Sequence, residues 1–220
     1  MKSFALTTEL LPHQVDAVTK LRGSALNALF MEQGTGKSRT VIELANIRSE
    51  KIDNVVWFAP VSLKATVHGE ILKHTDCTES EVYVFNDKTD EDTIPLDRMW
   101  YVVGIESMSS SARMIFAVQK IITENSMVIL DESTYVKGHR SKRSERITLF
   151  AKKTQYRMIL TGTPITQGVQ DLFAQFRFLS PKILGYASFY SFAANHLEYS
   201  DKYPGLIVRA HNVEDLAEKN

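Results

Sequence analysis

The feature that most constrains this chain is the stretch Met31–Ser38, MEQGTGKS. A short apolar run, Ala25–Met31, leads into it, and Lys37–Arg48 follows with Val41, Leu44 and Ala45 at helical spacing. Strand, glycine turn and helix in that order form the opening of a βα unit, which commits the chain to a parallel sheet. Gly34 and Gly36 let backbone N–H groups turn inward around an anion, and the helix that follows aims its positive end at the same point. Lys37 can reach the outer phosphates of a nucleotide, and the Ser38 hydroxyl can ligate Mg²⁺. Met31 stands where the common phosphate-loop pattern has a glycine, so GTGKS alone is also compatible with an ordinary glycine turn before a helix.

A second segment bears on the same chemistry. Val128–Ser133, VILDES, ends an apolar run on two carboxylates. Ligands of open α/β sheets bind at the C-terminal ends of the strands, where these acids would lie. Asp131 would hold Mg²⁺, and Glu132 would accept a proton from an attacking water. Asp-Glu-Ser is equally a normal helix N-cap composition. The pairing of the two segments in one chain favours a nucleotide site built from Lys37, Asp131 and Glu132. Thr35 and Arg39, inside and just after the loop, are counted with the nucleotide-binding residues.

The rest of the chain alternates short apolar runs with amphipathic ones. A helix is predicted from Pro12, a strand over Asn54–Ala59, a helix over Val61–His74 and a strand over Glu81–Phe85. A charged loop (86–98) precedes a strand at Met99–Val103 and a helix at Ala112–Thr123. The strand Ser126–Leu130, the helix Ser144–Lys152, the strand Arg157–Leu160 and the helix Leu172–Leu179 complete the series. This is the α/β pattern of a mainly parallel central sheet flanked by helices. After Pro181 the chain is aromatic-rich and less regular, and reads as a small appendage. The 26 Lys and Arg balance 26 Asp and Glu, so no global field announces nucleic acid. The one cysteine, Cys77, has no partner for an internal disulfide, and no Cys/His cluster has zinc spacing. A reducing, intracellular setting is expected, with no signal peptide and no membrane span.

Several segments resemble the motifs of superfamily 2 helicases, and of their Snf-like, chromatin-remodeller-type branch. LLPHQ (Leu10–Gln14) is similar to the glutamine motif, and WFAPVSLKATVHGEI (Trp57–Ile71) to the motif that leads into a helix near the DNA backbone. WYVVGIESM (Trp100–Met108) resembles the next strand and turn. LDESTYVKGHRSKRSE (Leu130–Glu145) resembles the Asp-Glu-x-His stretch, and RMILTGTPITQGVQDLFAQFRFLSP (Arg157–Pro181) the Leu-Thr-Gly-Thr-Pro segment with its helix. The resemblance implies a RecA-like P-loop NTPase lobe over 1–181, with 182–220 a partial helical protrusion. It implies ATP and Mg²⁺ as cofactors, Gln14 as the adenine contact, and Thr161 and Thr163 as the link between nucleotide and DNA track. The sequence departs from the family at Thr134, where a histidine is usual, at Gly104-Ile105-Glu106, and at Thr166-Gln167-Gly168.

Motors of this kind need two lobes, the second supplying an arginine to the γ-phosphate. The residues after Pro181 are too few for another strand–helix series, so a second lobe is expected in the same parent chain or in trans, and the lone lobe is expected to turn ATP over poorly. Double-stranded DNA is the expected partner. Its backbone contacts would come from Ser62, Lys64, Lys137, Arg140, Lys142 and Arg143, although a short charged run such as 137–143 is also the pattern of a solvated loop. The alternative to a DNA-dependent ATPase is a lobe that binds nucleotide, DNA or protein without hydrolysis. RNA as the track is disfavoured by the LTGTP stretch.

Overall fold

A computed structural model describes residues 3–133, 141–165 and 168–218. Its centre is a six-stranded parallel sheet in the order β1-β6-β5-β2-β4-β3. The strands are β1 (Leu26–Phe30), β2 (Val55–Ala59), β3 (Val82–Val84), β4 (Trp100–Gly104), β5 (Met127–Leu130) and β6 (Tyr156–Thr161). The helices are α1 (Pro12–Leu21), α2 (Lys37–Ile47), α3 (Lys64–His74), the short α4 (Ser107–Ser110), α5 (Ala112–Ile121), α6 (Lys142–Ala151) and α7 (Gln170–Leu179).

Strand side chains alternate between two faces, and each face has its own core. Val55, Trp57 and Ala59 of β2 pack with Val41, Ile42 and Leu44 of α2 and with Val67 and Ile71 of α3. Val56 and Phe58 pack on the opposite side with Val118 of α5, Ile147 of α6 and Phe173 of α7. Burial on both faces explains why NVVWFA and SMVIL read as unbroken apolar runs. Because the chain crosses from β1 to β2 over two strand positions, β6 and β5 are threaded between them last. The C-terminal ends of β1, β6 and β5 therefore lie side by side, which gathers the glycine loop, the residues after Thr161 and the acid pair on one edge.

The segment predicted as a single helix over Val61–His74 opens instead with a 3₁₀ turn, Val61–Leu63. The Leu63 amide donates to the Pro60 carbonyl and the Val61 amide to Glu106 Oε2, so a carboxylate from the β4 loop holds this turn in place. Gly104 is needed beside it: a Cβ there would stand 2.7 Å from Val61 Cγ2.

The chain after α7 contains α8 (Pro181–Leu184), α9 (Phe189–His196) and α10 (Val213–Glu218), and also an antiparallel pair, β7 (Leu197–Tyr199) with β8 (Ile207–Ala210). The helical appendage expected from the sequence thus carries a hairpin as well. It is fused to the α7 side of the core: Phe173 meets Phe189 and Phe192 at ring-centroid distances of 5.5 and 5.3 Å. No helix among the described residues is long and apolar enough to cross a membrane.

Candidate nucleotide site

The site begins with the glycine loop. Gly34 and Gly36 have φ of 80° and 78°, a backbone that L side chains rarely adopt, and Gly36 is the left-handed N-cap of α2. A Cβ on Gly36 would also collide with Gln14 Nε2. Gln14 is buried at the start of α1, where its Nε2 donates to the Thr35 and Gly36 carbonyls at 3.2 and 3.3 Å. Its Oε1 accepts the Leu11 amide at 2.9 Å, so the same side chain closes the first turn of α1. His13 Nε2 lies 2.8 Å from the Thr35 carbonyl. The glutamine motif and the glycine loop are thus one hydrogen-bonded unit. Lys37 Nζ lies over the loop and donates to the Met31 and Glu32 carbonyls.

The acid turn faces this loop from β5. Asp131 is nearly buried, with Oδ1 accepting the Glu132 amide at 2.9 Å and Oδ2 accepting Trp57 Nε1 at 3.3 Å. Burial pushes its carboxyl up to about 6; the two donated hydrogen bonds and the charge of Lys37 pull the other way. Glu132 has φ of 44°, a left-handed backbone for a non-glycine residue, held at the mouth of the cleft. Gln14, Gly34, Gly36, Lys37, Ser38, Asp131 and Glu132 line one cleft of about 690 Å³.

Other predicted residues have different surroundings. Arg39 touches the cleft, but its Nε and Nη2 donate to Thr8 and Nη1 pairs with Glu43 at 2.9 Å. Its guanidinium fastens the segment before α1 to α2. Thr161 is buried at the end of β6 and its Oγ1 accepts the Thr163 amide at 3.1 Å. A Cβ on the intervening Gly162 would lie 3.4 Å from the Met31 carbonyl, so this loop abuts the glycine loop. Ser62 and Lys142 are exposed and Arg143 half-buried. Lys64 Nζ donates to the Phe85 carbonyl, and burial lowers its pKa. Lys137, Arg140, Thr134, Thr166 and Gln167 lie outside the described residues.

Sequence reading missed Trp57, whose indole reads only as core, and the wall of the cleft formed by Leu63, Thr66, Glu70 and Lys73 of the β2–α3 segment. Helical spacing puts 63, 66, 70 and 73 on one face, a signal with no chemistry attached until the opposite wall is known.

The donor set fits a magnesium nucleotide. Two left-handed glycines, a lysine ammonium and a helix N-terminus suit an anion, and one buried carboxylate with a serine hydroxyl suits a metal that takes its remaining ligands from phosphate and water. Among the described residues no cluster of three His, Cys, Asp or Glu could form an all-protein metal cage.

The mouse DNA annealing helicase and endonuclease ZRANB3 is 31% identical over 207 residues, covering 93% of this chain and 18% of that protein. A RAD54-like DNA repair and recombination protein of Drosophila grimshawi is 33% identical over 95 residues, 42% of this chain and 10% of that protein. The chain spans less than a fifth of the length of these two relatives. In fold it matches the Sulfolobus solfataricus SWI2/SNF2 ATPase core in complex with dsDNA, with TM-score 0.70 and 22% identity over 89% of this chain and 40% of that one. The Pyrococcus furiosus Hef helicase domain matches with TM-score 0.60 and 12% identity over 76% of this chain and 35% of that one. The model of the SNF2-related domain matches residues 16–209. With that match over most of its length, the chain belongs to the SNF2-related family, as a superfamily 2 helicase lobe with a RecA-like α/β fold.

Proposed function

We propose that this chain is the ATP-binding lobe of a double-stranded DNA translocase, and that it contributes Lys37, Asp131 and Glu132 to Mg-ATP hydrolysis. The observation that carries this reading is the single cleft in which Gln14, the glycine loop, Lys37 and the acid pair meet. Gln14 would hold the adenine edge. The amides of the loop 34–38 and the Lys37 ammonium would neutralise the β and γ phosphates. Ser38 and Asp131 would hold Mg²⁺, which when bound supplies further positive charge to the phosphates. Glu132 would take the proton from the attacking water, its carboxylate aimed by the constrained backbone of the acid turn.

A second lobe, in the same polypeptide or in trans, would supply an arginine, which in such sites is worth about 10³–10⁵ in rate. Exposed Ser62 and Lys142, with Arg143, would touch the DNA backbone, joined by Lys137 and Arg140. Thr161 and Thr163 would link nucleotide to track. A domain limit near Pro181 is part of this reading, with 182–220 a protrusion packed on α7. The relatives named for DNA annealing, repair and recombination support a soluble, DNA-associated setting.

The test is Mg-ATP turnover by the protein that carries this chain, with and without duplex DNA, beside Lys37→Ala and Glu132→Gln. DNA-stimulated turnover lost in both variants is the expected result. Lys37-dependent ATP binding without any turnover in the presence of DNA and the second lobe would favour a non-hydrolysing binding module.

A further inference from the structure

Gln175 is a polar residue where the pattern of α7 calls for an apolar one. It sits among Leu172, Phe173, Phe176 and Leu179 and is fully buried. A buried amide is costly unless its hydrogen bonds are made. Here Oε1 accepts the Ser133 hydroxyl at 2.6 Å, and Nε2 donates to the Pro164 carbonyl at 2.7 Å and to the Asp171 carbonyl, one turn earlier in α7, at 2.9 Å. The Asp171 bond anchors the amide to its own helix. The other two reach opposite sides of the site: Ser133 follows the acid pair, and Pro164 lies in the loop that leaves β6.

We infer that Gln175 is a positioning residue that ties the Asp131–Ser133 turn to the Thr161–Pro164 loop, so that nucleotide contact at the acids is passed to that loop. The inference rests on the nucleotide site proposed above and extends it. The geometry closes a ring around the end of β6. Gly162 lies against the Met31 carbonyl and the Gln33 amide of the glycine loop, Pro164 holds Gln175, Gln175 holds Ser133, and Ser133 continues the acid turn that faces Lys37. A leucine at 175 would fill the same space and keep α7 packed but would break both cross-links. Both bonds are neutral; the one to Ser133 is buried and the one to Pro164 part-buried, so salt screens them little.

The test is hydrogen–deuterium exchange on the protein that carries this chain, with Mg²⁺ and a non-hydrolysable ATP analogue. In the wild type, ligand slows exchange in peptides over 32–38, 130–133 and 158–165. In Gln175→Leu the first peptide keeps its slowing, while 158–165 loses about fivefold or more, the factor carried by one broken hydrogen bond. Ser133→Ala, which leaves α7 untouched, gives the same loss, and the double variant loses no more than either single one. Ser133→Ala decides the matter if Gln175→Leu fails to fold. Slowing at 158–165 that persists in Ser133→Ala overturns the link and leaves the nucleotide site standing. A wild type with no Lys37-dependent slowing at 32–38 overturns the site, and the link with it.

Discussion

The carboxyl proposed to hold Mg²⁺, that of Asp131, is stored almost out of water, and that storage has a sign. Asp131 is ordinary in the unfolded chain, near 3.8, and rises to about 6 when folded because burial disfavours its charged form. A carboxyl raised in this way contributes fully to folding below its unfolded pKa and loses that contribution as pH climbs through the folded value. At about 1.4 kcal/mol per pKa unit, the metal-free protein gives up roughly 3 kcal/mol across that window from this group alone. Asp131→Asn is expected to flatten the loss, so that urea melts at pH 7 find the variant more stable than wild type while Mg-ATP turnover disappears. Equal stability curves from pH 4 to pH 7 would sink this account. Gln14 carries a second prediction. Its side chain closes the α1 turn and binds two loop carbonyls. Gln14→Ala is expected to cost about 1–3 kcal/mol in a denaturant melt and to weaken ATP binding in calorimetry by tenfold or more. The motif letters Gln14, Lys37 and Asp131 were legible in the sequence. Trp57 as the donor to Asp131 was not, because a tryptophan in an apolar strand carries no mark of the one polar atom it presents.

At the scale of elements, short apolar runs marked the strands of the central sheet and period-3.6 patterning the main helices, since the inner strands are buried on both faces and the helices on one. Such patterns did less well where a contact from another element sets the geometry. The 3₁₀ turn at Val61–Leu63 depends on Glu106, which lies on the loop after β4. The β7–β8 hairpin escaped because Glu198, Tyr199, Val208, Arg209 and Ala210 are exposed and show no buried alternation. The appendage is instead fixed through Phe173, which meets Phe189 and Phe192. Phe173→Ala is expected to cost about 3–5 kcal/mol, with proteolysis detecting earlier cleavage after Pro181 than in the core sheet. Cleavage of both at the same rate would mean that α7 and the appendage do not share this aromatic contact in solution.

At the scale of the whole molecule, the net charge of zero means that the proposed DNA contact would rest on local cations rather than on a global field. If Lys142 and Arg143 meet backbone phosphates, alanine at either should weaken duplex binding uniformly across sequences and lower the slope of log affinity against log salt by about 1 each. Lys64→Ala, by contrast, should leave that slope unchanged and act on stability, because its ammonium is bonded to Phe85. Fluorescence anisotropy over a salt series separates the two outcomes.

What the residues alone determined is local chemistry. Gly34 and Gly36 permit a left-handed loop, a helix follows it, and two acids end an apolar strand; each depends on neighbours within a few positions. The family resemblance extended that to roles for Gln14, Thr161 and Thr163. What only the tertiary structure decided is which distant groups meet. The strand order β1-β6-β5 brings the glycine loop and acid turn to one edge although about a hundred residues separate them in sequence. Tertiary packing also sets Gln175 between Ser133 and Pro164, turns Arg39 toward Thr8, and puts Asp131, nearly buried at the cleft, against Trp57 of the neighbouring strand β2. Hydrogen bonds and desolvation act over a few ångströms of space, whereas sequence patterns report distance along the chain.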